Sequence, residues 1–270
     1  MTKIAVIGLG LIGGSIFKDL LTLSYDCIGI SQSQQGIEHV YSDYSYLKDR
    51  ELIFVCKEMN KTIQVLKNIE KYIKPNTIVT DVCSLKEIVC KETYNYNFIP
   101  SHPMAGTEFS GWNSAIEGLF KGAKWVITPT NNKYKPTRLE DIIKELGAEI
   151  VYTTPQKHDE AVALISHMPM VLAQALFDTI KDNELALKLA SSGFRDMTRL
   201  ALSSVDMAND MVTLNSKNIE TAILKLYSSI GSLTKENTKK KSLQLKSNAK
   251  KCIKTVKISY NKLLYNFRYS

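Results

Sequence analysis

Gly8-Leu9-Gly10-Leu11-Ile12-Gly13 follows the apolar run Lys3–Ile7 and opens a stretch with helical spacing. In that setting the first glycine permits a tight turn and the second lets the backbone approach a pyrophosphate. The third lets helix and strand pack closely, and the helix N-terminus offers free amides and a positive dipole end. The pattern reads as a dinucleotide loop, with Gly8, Gly10, Leu11, Ile12 and Gly13 at the cofactor. A second apolar run ends at Ile30. An acid directly after it would hold a ribose 2′-hydroxyl and repel a 2′-phosphate. This chain has Ser31, Gln32 and Ser33 there. Their neutral donors suit a phosphate better than a bare diol, so NADP is expected over NAD, although no arginine reinforces the choice.

Three further groups carry chemistry. Thr80-Asp81-Val82-Cys83-Ser84-Leu85-Lys86 lies where an apolar run gives way to a helix, the edge at which open α/β sheets bind ligands. Asp81 is expected on the cofactor side. Ser84 could cap the helix, or cap it and also reach the cleft. Ser101-His102-Pro103-Met104-Ala105-Gly106-Thr107 reads as a loop at the same edge. A histidine held there between Pro and Gly suits proton transfer near neutrality better than a core position. In the second half, Ser166-His167-Met168-Pro169 interrupts a helical pattern, which Pro169 must kink or re-aim. Gly193-Phe194-Arg195-Asp196-Met197-Thr198-Arg199 joins a turn glycine to two guanidiniums, the groups suited to bidentate carboxylate capture, although a surface ion pair is the plainer reading. The four histidines (His39, His102, His158, His167) have no ligand spacing, so no metal site is expected. Five cysteines without a CxxC pair read as reduced thiols of a cytoplasmic protein.

Elements able to position these groups follow from periodicity. Ile4–Ile7, Cys27–Ile30, Leu52–Val55, Thr77–Val82, Phe98–Ile99, Trp125–Thr128 and Ile150–Thr153 are short, β-branched or aromatic, and continuously apolar, as strands covered on both faces are. Helical spacing separates them at Ser15–Leu23, Lys61–Tyr72 and Leu85–Thr93. The expected fold is therefore an α/β doubly wound (Rossmann) nucleotide-binding domain over residues 1–153. From 154 to 270 the texture is helical, with segments at His158–Ile180, Glu184–Ser191, Val205–Ile230 and Leu243–Phe267. Turn signals at Asp182-Asn183, Ser192-Gly193 and Gly231-Ser232 divide them. This half is expected to be all-α.

The net charge of +8 over 270 residues is unevenly placed. Residues 231–270 hold eleven basic residues against Glu236 alone, leaving 24 basic and 26 acidic residues for the rest. The surplus marks one terminal helix and does not support a nucleic-acid partner. Leu245, Ala249, Cys252, Val256, Leu263 and Phe267 share one face of that helix, suited to packing or dimerisation, with most lysines on the others. A hydrophobic content of 44% excludes disorder, and no window gives the ~20 unbroken apolar residues of a membrane span.

In order, GLGLIGGS, TDVCSLK, SHPMAGTEFSG, LFKGAKWVITP, HDEAVALISHMP and SGFRDMTR resemble the prephenate/arogenate dehydrogenase family, from Gly8 to Arg199. The HPMAGTE and GFRDxTR segments carry most of the specificity. The resemblance implies oxidative decarboxylation of a cyclohexadienol with hydride transfer to NAD(P)+. It matches His102 to the catalytic histidine, Ser84 to the serine that orients it, and Arg199 to the arginine that holds the ring carboxylate. It places Thr107, Ser166, His167 and Met170 at the substrate, and implies a homodimer. Prephenate-using relatives often carry a histidine where this chain has Met170 and a tryptophan where it has Ala208. A pyruvyl keto group would lose a donor at Met170, whereas the ammonium of arogenate has no such need. With Ser31, these departures resemble the small single-function NADP-dependent arogenate dehydrogenases, and arogenate is expected over prephenate. A related reductase or β-hydroxyacid dehydrogenase would instead need a catalytic lysine on the domain-joining helix. A non-enzymatic nucleotide sensor would use the basic end as its effector surface.

Overall fold

The computed structural model describes residues 2–107, 109–129, 136–235 and 239–256. Its first part runs β1 (Lys3–Ile7), α1 (Leu11–Thr22), β2 (Asp26–Ile30), β3 (Val40–Tyr41), β4 (Leu52–Val55), α2 (Met59–Asn68), β5 (Ile78–Asp81), α3 (Glu87–Cys90) and β6 (Asn97–Phe98). These strands form one parallel sheet in the order β3-β2-β1-β4-β5-β6. That is the Rossmann order, with its switch point between β1 and β4. Alternate residues of the central strands feed two different cores. Ile4, Val6, Leu52 and Phe54 pack on one face, and Ala5, Ile7, Ile53 and Val55 on the other. Burial on both faces is why these strands read as unbroken apolar runs.

A second, three-stranded sheet extends this domain. β7 (Ser101–Pro103) pairs antiparallel with β8 (Lys124–Ile127), which pairs parallel with β9 (Glu149–Tyr152); α4 (Thr137–Glu145) connects the last two. β7 corrects the loop expected around His102. Three residues ending in a proline cannot display strand periodicity, and only the pairing of His102 with Val126 reveals it. β3 was likewise too short to read. α4 was not anticipated, although Leu139, Ile142 and Ile143 give it a buried face. Side chains tie the two sheets together. Trp125 Nε1 donates to Ser101 Oγ at 3.0 Å, and Ser101 Oγ donates to the Asp81 carbonyl at 2.9 Å.

Helices complete the chain: α5 (Pro155–Val162), a π-helical turn (Ala163–His167), α6 (Met168–Ile180), α7 (Glu184–Leu189), α8 (Ser192–Thr198), a 3-10 turn (Arg199–Leu202), α9 (Val205–Leu214), α10 (Ser216–Lys235) and α11 (Lys239–Val256). Pro169 lacks the N–H its position would use, and the π turn just before it re-aims the backbone. The single helix expected over Val205–Ile230 is broken at Asn215, which caps α9 and turns inward, 5% exposed. Conversely, α10 runs straight through the Gly231-Ser232 turn signal. The helix expected over Leu243–Phe267 is described to Val256, and the rest of that range, with Leu263 and Phe267, lies outside the described residues. Within it Leu245 and Ala249 are exposed, so no part of the described chain covers these two side chains.

Pro155–Ile180 is long and apolar enough to cross a bilayer by length and composition. Three polar side chains on it, His158, Asp159 and His167, are buried and hydrogen-bonded to other parts of the protein. The helix is thus built to pack against the first domain.

Candidate functional site

The nucleotide loop joins β1 to α1 at the switch point. Gly8 has φ +91°, and a Cβ there would fall 2.2 Å from the Cys56 carbonyl oxygen. A Cβ on Gly13 would fall 1.9 Å from the Gly8 carbonyl oxygen, so helix and strand touch backbone to backbone. Gly10 differs, because its Cβ would meet nothing within 4 Å. It is also the N-cap of α1 and supplies no side-chain hydrogen bond, which leaves the first-turn amides of Leu11, Ile12 and Gly13 open to a ligand. An open approach over uncapped amides fits a dinucleotide pyrophosphate. Beside it lies a cavity of about 550 Å³, lined by Ser31, Gln32, Asp43, Tyr44, Lys57 and Lys61 among others. Ser31 is buried, its Oγ accepting from Gln34 N at 3.2 Å and lying 3.4 Å from Ser33 Oγ. Gln32 and Ser33 are exposed. Lys57 and Lys61, which follow β4, add positive charge that the loop after β2 lacks.

Asp81 is not placed for the cofactor. It is fully buried, and its carboxylate accepts from Lys86 Nζ, from Cys83 N at 3.0 Å and from Ser101 N at 3.3 Å. Lys86 is equally buried and donates a second bond to the Ser101 carbonyl at 2.6 Å. Each charge is paired, as burial requires. Nor is Ser84 a helix cap. Lys86 occupies the N-cap of α3, and the carboxylate of Asp159 takes the capping role, accepting from Lys86 N at 2.8 Å and Glu87 N at 2.9 Å. Ser84 is half-buried, with Oγ 3.9 Å from the Met59 sulfur, and no hydrogen bond joins it to His102.

His102 stands in mid-β7 beyond the carboxyl end of β5. Its Nδ1 lies 3.0 Å from Nε2 of His158, and His158 Nδ1 lies 2.7 Å from Asp159 Oδ1. The second His102 nitrogen, Nε2, has no hydrogen-bond partner among the described residues, and the residue is only partly buried. Burial, the largest cause, holds the His102 pKa well below 6.5, and electrostatic interaction with His158, Lys86 and His167 acts in the same direction. At neutral pH the ring is therefore an uncharged base with one accessible nitrogen.

His167 is fully buried in the π turn. Asn215 Nδ2 lies 3.1 Å from its Nδ1 and donates to the Asp159 carbonyl at 3.0 Å. Burial, the largest cause, takes the His167 pKa down to about 4. With Nδ1 accepting, the proton sits on Nε2, a buried donor without a partner among the described residues. Ser166 beside it is half-buried, and Thr107 Oγ1 accepts from Phe109 N at 3.2 Å. Met170 is only 3% exposed and packs with Ala208, Met59, Cys83 and Leu85 in one apolar cluster. Met170 and Ala208 thus share one cluster with Met59, whose sulfur lies 3.9 Å from Ser84 Oγ. Arg199 opens the 3-10 turn after α8, exposed and without an ion-pair partner among the described residues; no contact joins it to His102.

His158, Asp159, Lys86, Lys57, Lys61 and Asn215 were not singled out from sequence. The His-Asp pair sits in a matched motif, but adjacency along the chain gives no sign that one side chain faces a strand 56 residues away.

Two family models match the chain: prephenate dehydrogenase, nucleotide-binding domain, over residues 30–152, and prephenate dehydrogenase, dimerization domain, over residues 154–250. Prephenate dehydrogenase of Bacillus subtilis is 30% identical over 240 residues, covering 80% of this chain and 65% of that protein. Prephenate dehydrogenase of Lactococcus lactis is 31% identical over 241 residues, covering 79% and 67%. The chain thus spans about two thirds of the length of these curated relatives. Among solved structures, arogenate dehydrogenase of Synechocystis is 30% identical with a TM-score of 0.76, covering 93% of this chain and 97% of that one.

Proposed function

Because this chain belongs to the prephenate dehydrogenase family, we propose that it oxidatively decarboxylates arogenate to tyrosine, using NADP+. The observation that carries this reading is the placement of His102 beyond the carboxyl end of β5, its Nδ1 3.0 Å from His158 Nε2 and its Nε2 without a partner among the described residues. The nicotinamide, when bound, accepts the hydride from the hydroxyl-bearing ring carbon. His102 Nε2 takes the hydroxyl proton, which raises electron density on the oxygen as the bond to hydrogen weakens. Ring aromatisation then expels the para carboxylate as CO2 and makes the step irreversible. Ser84, half-buried at the mouth of the same edge, is assigned to substrate positioning, along with Thr107, Ser166 and His167.

Arogenate is favoured because Met170 and Ala208, neither of which offers a keto group a hydrogen-bond donor, lie together in one buried apolar cluster. NADP+ is favoured because Ser31, Gln32, Lys57 and Lys61 line the cavity at the end of β2. A second reading, prephenate with NAD+, rests on Asp43, an acid in that cavity which already accepts from Ser45 N at 2.6 Å. Initial rates at the reduced-nicotinamide absorbance, with each substrate and each cofactor, separate the two. The larger kcat/KM is expected for arogenate with NADP+, and a larger value for prephenate with NAD+ would replace the first reading by the second.

Arg199 is proposed to hold the substrate's ring carboxylate, supported by the GFRDMTR match and by its lack of an acidic partner among the described residues. Arg199→Ala is expected to raise KM about 10- to 100-fold, the worth of a charged hydrogen-bonded pair, with kcat changed far less. An unchanged KM would remove Arg199 from the site.

The helical half is proposed as a dimerisation unit of a cytoplasmic homodimer, with the division from the nucleotide-binding half at residues 153/154. Support comes from Leu164, Ile165, Phe177, Leu202, Val205 and Tyr227, large apolar side chains left exposed in one protomer.

A further inference from the structure

The buried pair His158 and Asp159 lies outside the roles assigned so far. We propose that these two residues position His102, fixing it in the tautomer whose Nε2 lone pair faces the substrate hydroxyl. The inference rests on His102 being the base.

Hydrogen-bond polarity fixes the direction of the chain. The Asp159 carboxylate can only accept, and Oδ1 lies 2.7 Å from His158 Nδ1, so that nitrogen carries a proton. A neutral His158 then has its lone pair on Nε2. That atom lies 3.0 Å from His102 Nδ1, so His102 donates from Nδ1. With the Nδ1 position protonated, the neutral His102 ring has its lone pair on Nε2, the ring nitrogen left without a partner among the described residues. When Nε2 accepts the substrate proton, the resulting imidazolium stays hydrogen-bonded through His158 to a carboxylate.

Asp159 is rigidly held for this task. It is 3% exposed and caps α3 through Lys86 N and Glu87 N, while its own carbonyl accepts from Asn215. His158 is 2% exposed and sits one turn into α5, whose first turn is capped by Thr154. Two bound ends and a buried middle leave little rotational freedom. The charged and titratable groups facing His102 are His158 and Asp159 on α5, Lys86 and Asp81 around the end of β5, and His167 in the π turn. Lys86 is neutralised by Asp81. Asp159 thus supplies the negative charge on the side of the ring opposite the substrate.

Two measurements test the chain. Nitrogen-15 spectra of the imidazoles in the intact protein need resolve only four histidines; His102 is expected as the neutral Nδ1–H form, and an Nε2–H form would overturn the proposal. Kinetics supply the second measurement. His158→Phe fills the same space without an acceptor and should lower kcat roughly 100-fold, with little change in KM or cofactor affinity. His158→Gln, whose amide oxygen can accept from His102 Nδ1–H, should recover most of the lost turnover. A His158→Phe protein with kcat within about twofold of the parent would overturn the positioning role; equal loss in Phe and Gln variants would reduce it to packing. His102→Asn is the control. If it remains active, the assignment of the base fails; if it is inactive while His158→Phe is unaffected, only the positioning role fails.

Discussion

His102→Asn is expected to lower kcat by about 10²- to 10⁴-fold, the usual worth of a positioned general base, with cofactor affinity unchanged. The asparagine keeps a polar group opposite Val126 on β7 and can still bond His158, so the fold should tolerate it. What it lacks is an accessible basic nitrogen. The pH profile gives the sharper readout. A free imidazole is half-protonated at 6.5, and here burial, with a smaller electrostatic contribution from His158, Lys86 and His167, holds the ring neutral to well below that value. As pH falls through 6.5, wild-type kcat/KM should therefore stay level, declining only further into acid as Nε2 is protonated. In the variant, residual activity should lose that limb. Retained turnover within about tenfold of wild type would remove His102 from the chemistry and leave the proton to another group.

What could be read in the sequence depended on how local its cause was. Gly8, Gly10 and Gly13 were legible because the turn, the open helix end and the contact of Gly13 with the Gly8 carbonyl are settled within six residues, although Cys56 on the next strand also bounds Gly8 and Gly13. The central strands were legible because burial on both faces leaves only apolar residues. β7 was not, since its pairing is with β8, more than 20 residues on, and its three residues are too few for a period. The break at Asn215 was hidden because Asn is an acceptable residue within an apolar helical repeat. Only in three dimensions does its amide meet the Asp159 carbonyl and His167. Asp81 failed for the same reason in reverse. An acid at the end of a strand looks available to a ligand until a buried Lys86, five residues on, folds back onto it. His158 and Asp159 belong to the class of residues whose function is purely spatial.

The paired substitutions Gly13→Ala and Gly10→Ala should separate stability from binding within one loop. At Gly13 the added methyl would sit 1.9 Å from the Gly8 carbonyl oxygen and 2.8 Å from the Cys56 Cβ. Both neighbours are held by strands, with Gly8 N donating to the Ile30 carbonyl and Cys56 N to the Ile7 carbonyl. Neither can withdraw as a flexible side-chain tip would. α1 must move off β1, which overpacks a core and costs on the order of 1–3 kcal/mol. That corresponds to a fall of roughly 2–10 °C in Tm for a chain of this size, measured without cofactor. Gly10→Ala should leave Tm nearly unchanged, because the methyl meets no protein atom within 4 Å and the backbone there, φ −80° and ψ −156°, is open to alanine. Yet the methyl would stand over the uncapped amides of α1, where the pyrophosphate must approach. Cofactor affinity should fall at least about tenfold, since each displaced charge-assisted amide bond is worth 1.5–3 kcal/mol. A Gly10→Ala protein that binds NADP+ and NAD+ as tightly as the parent would show that the dinucleotide does not lie across this helix end.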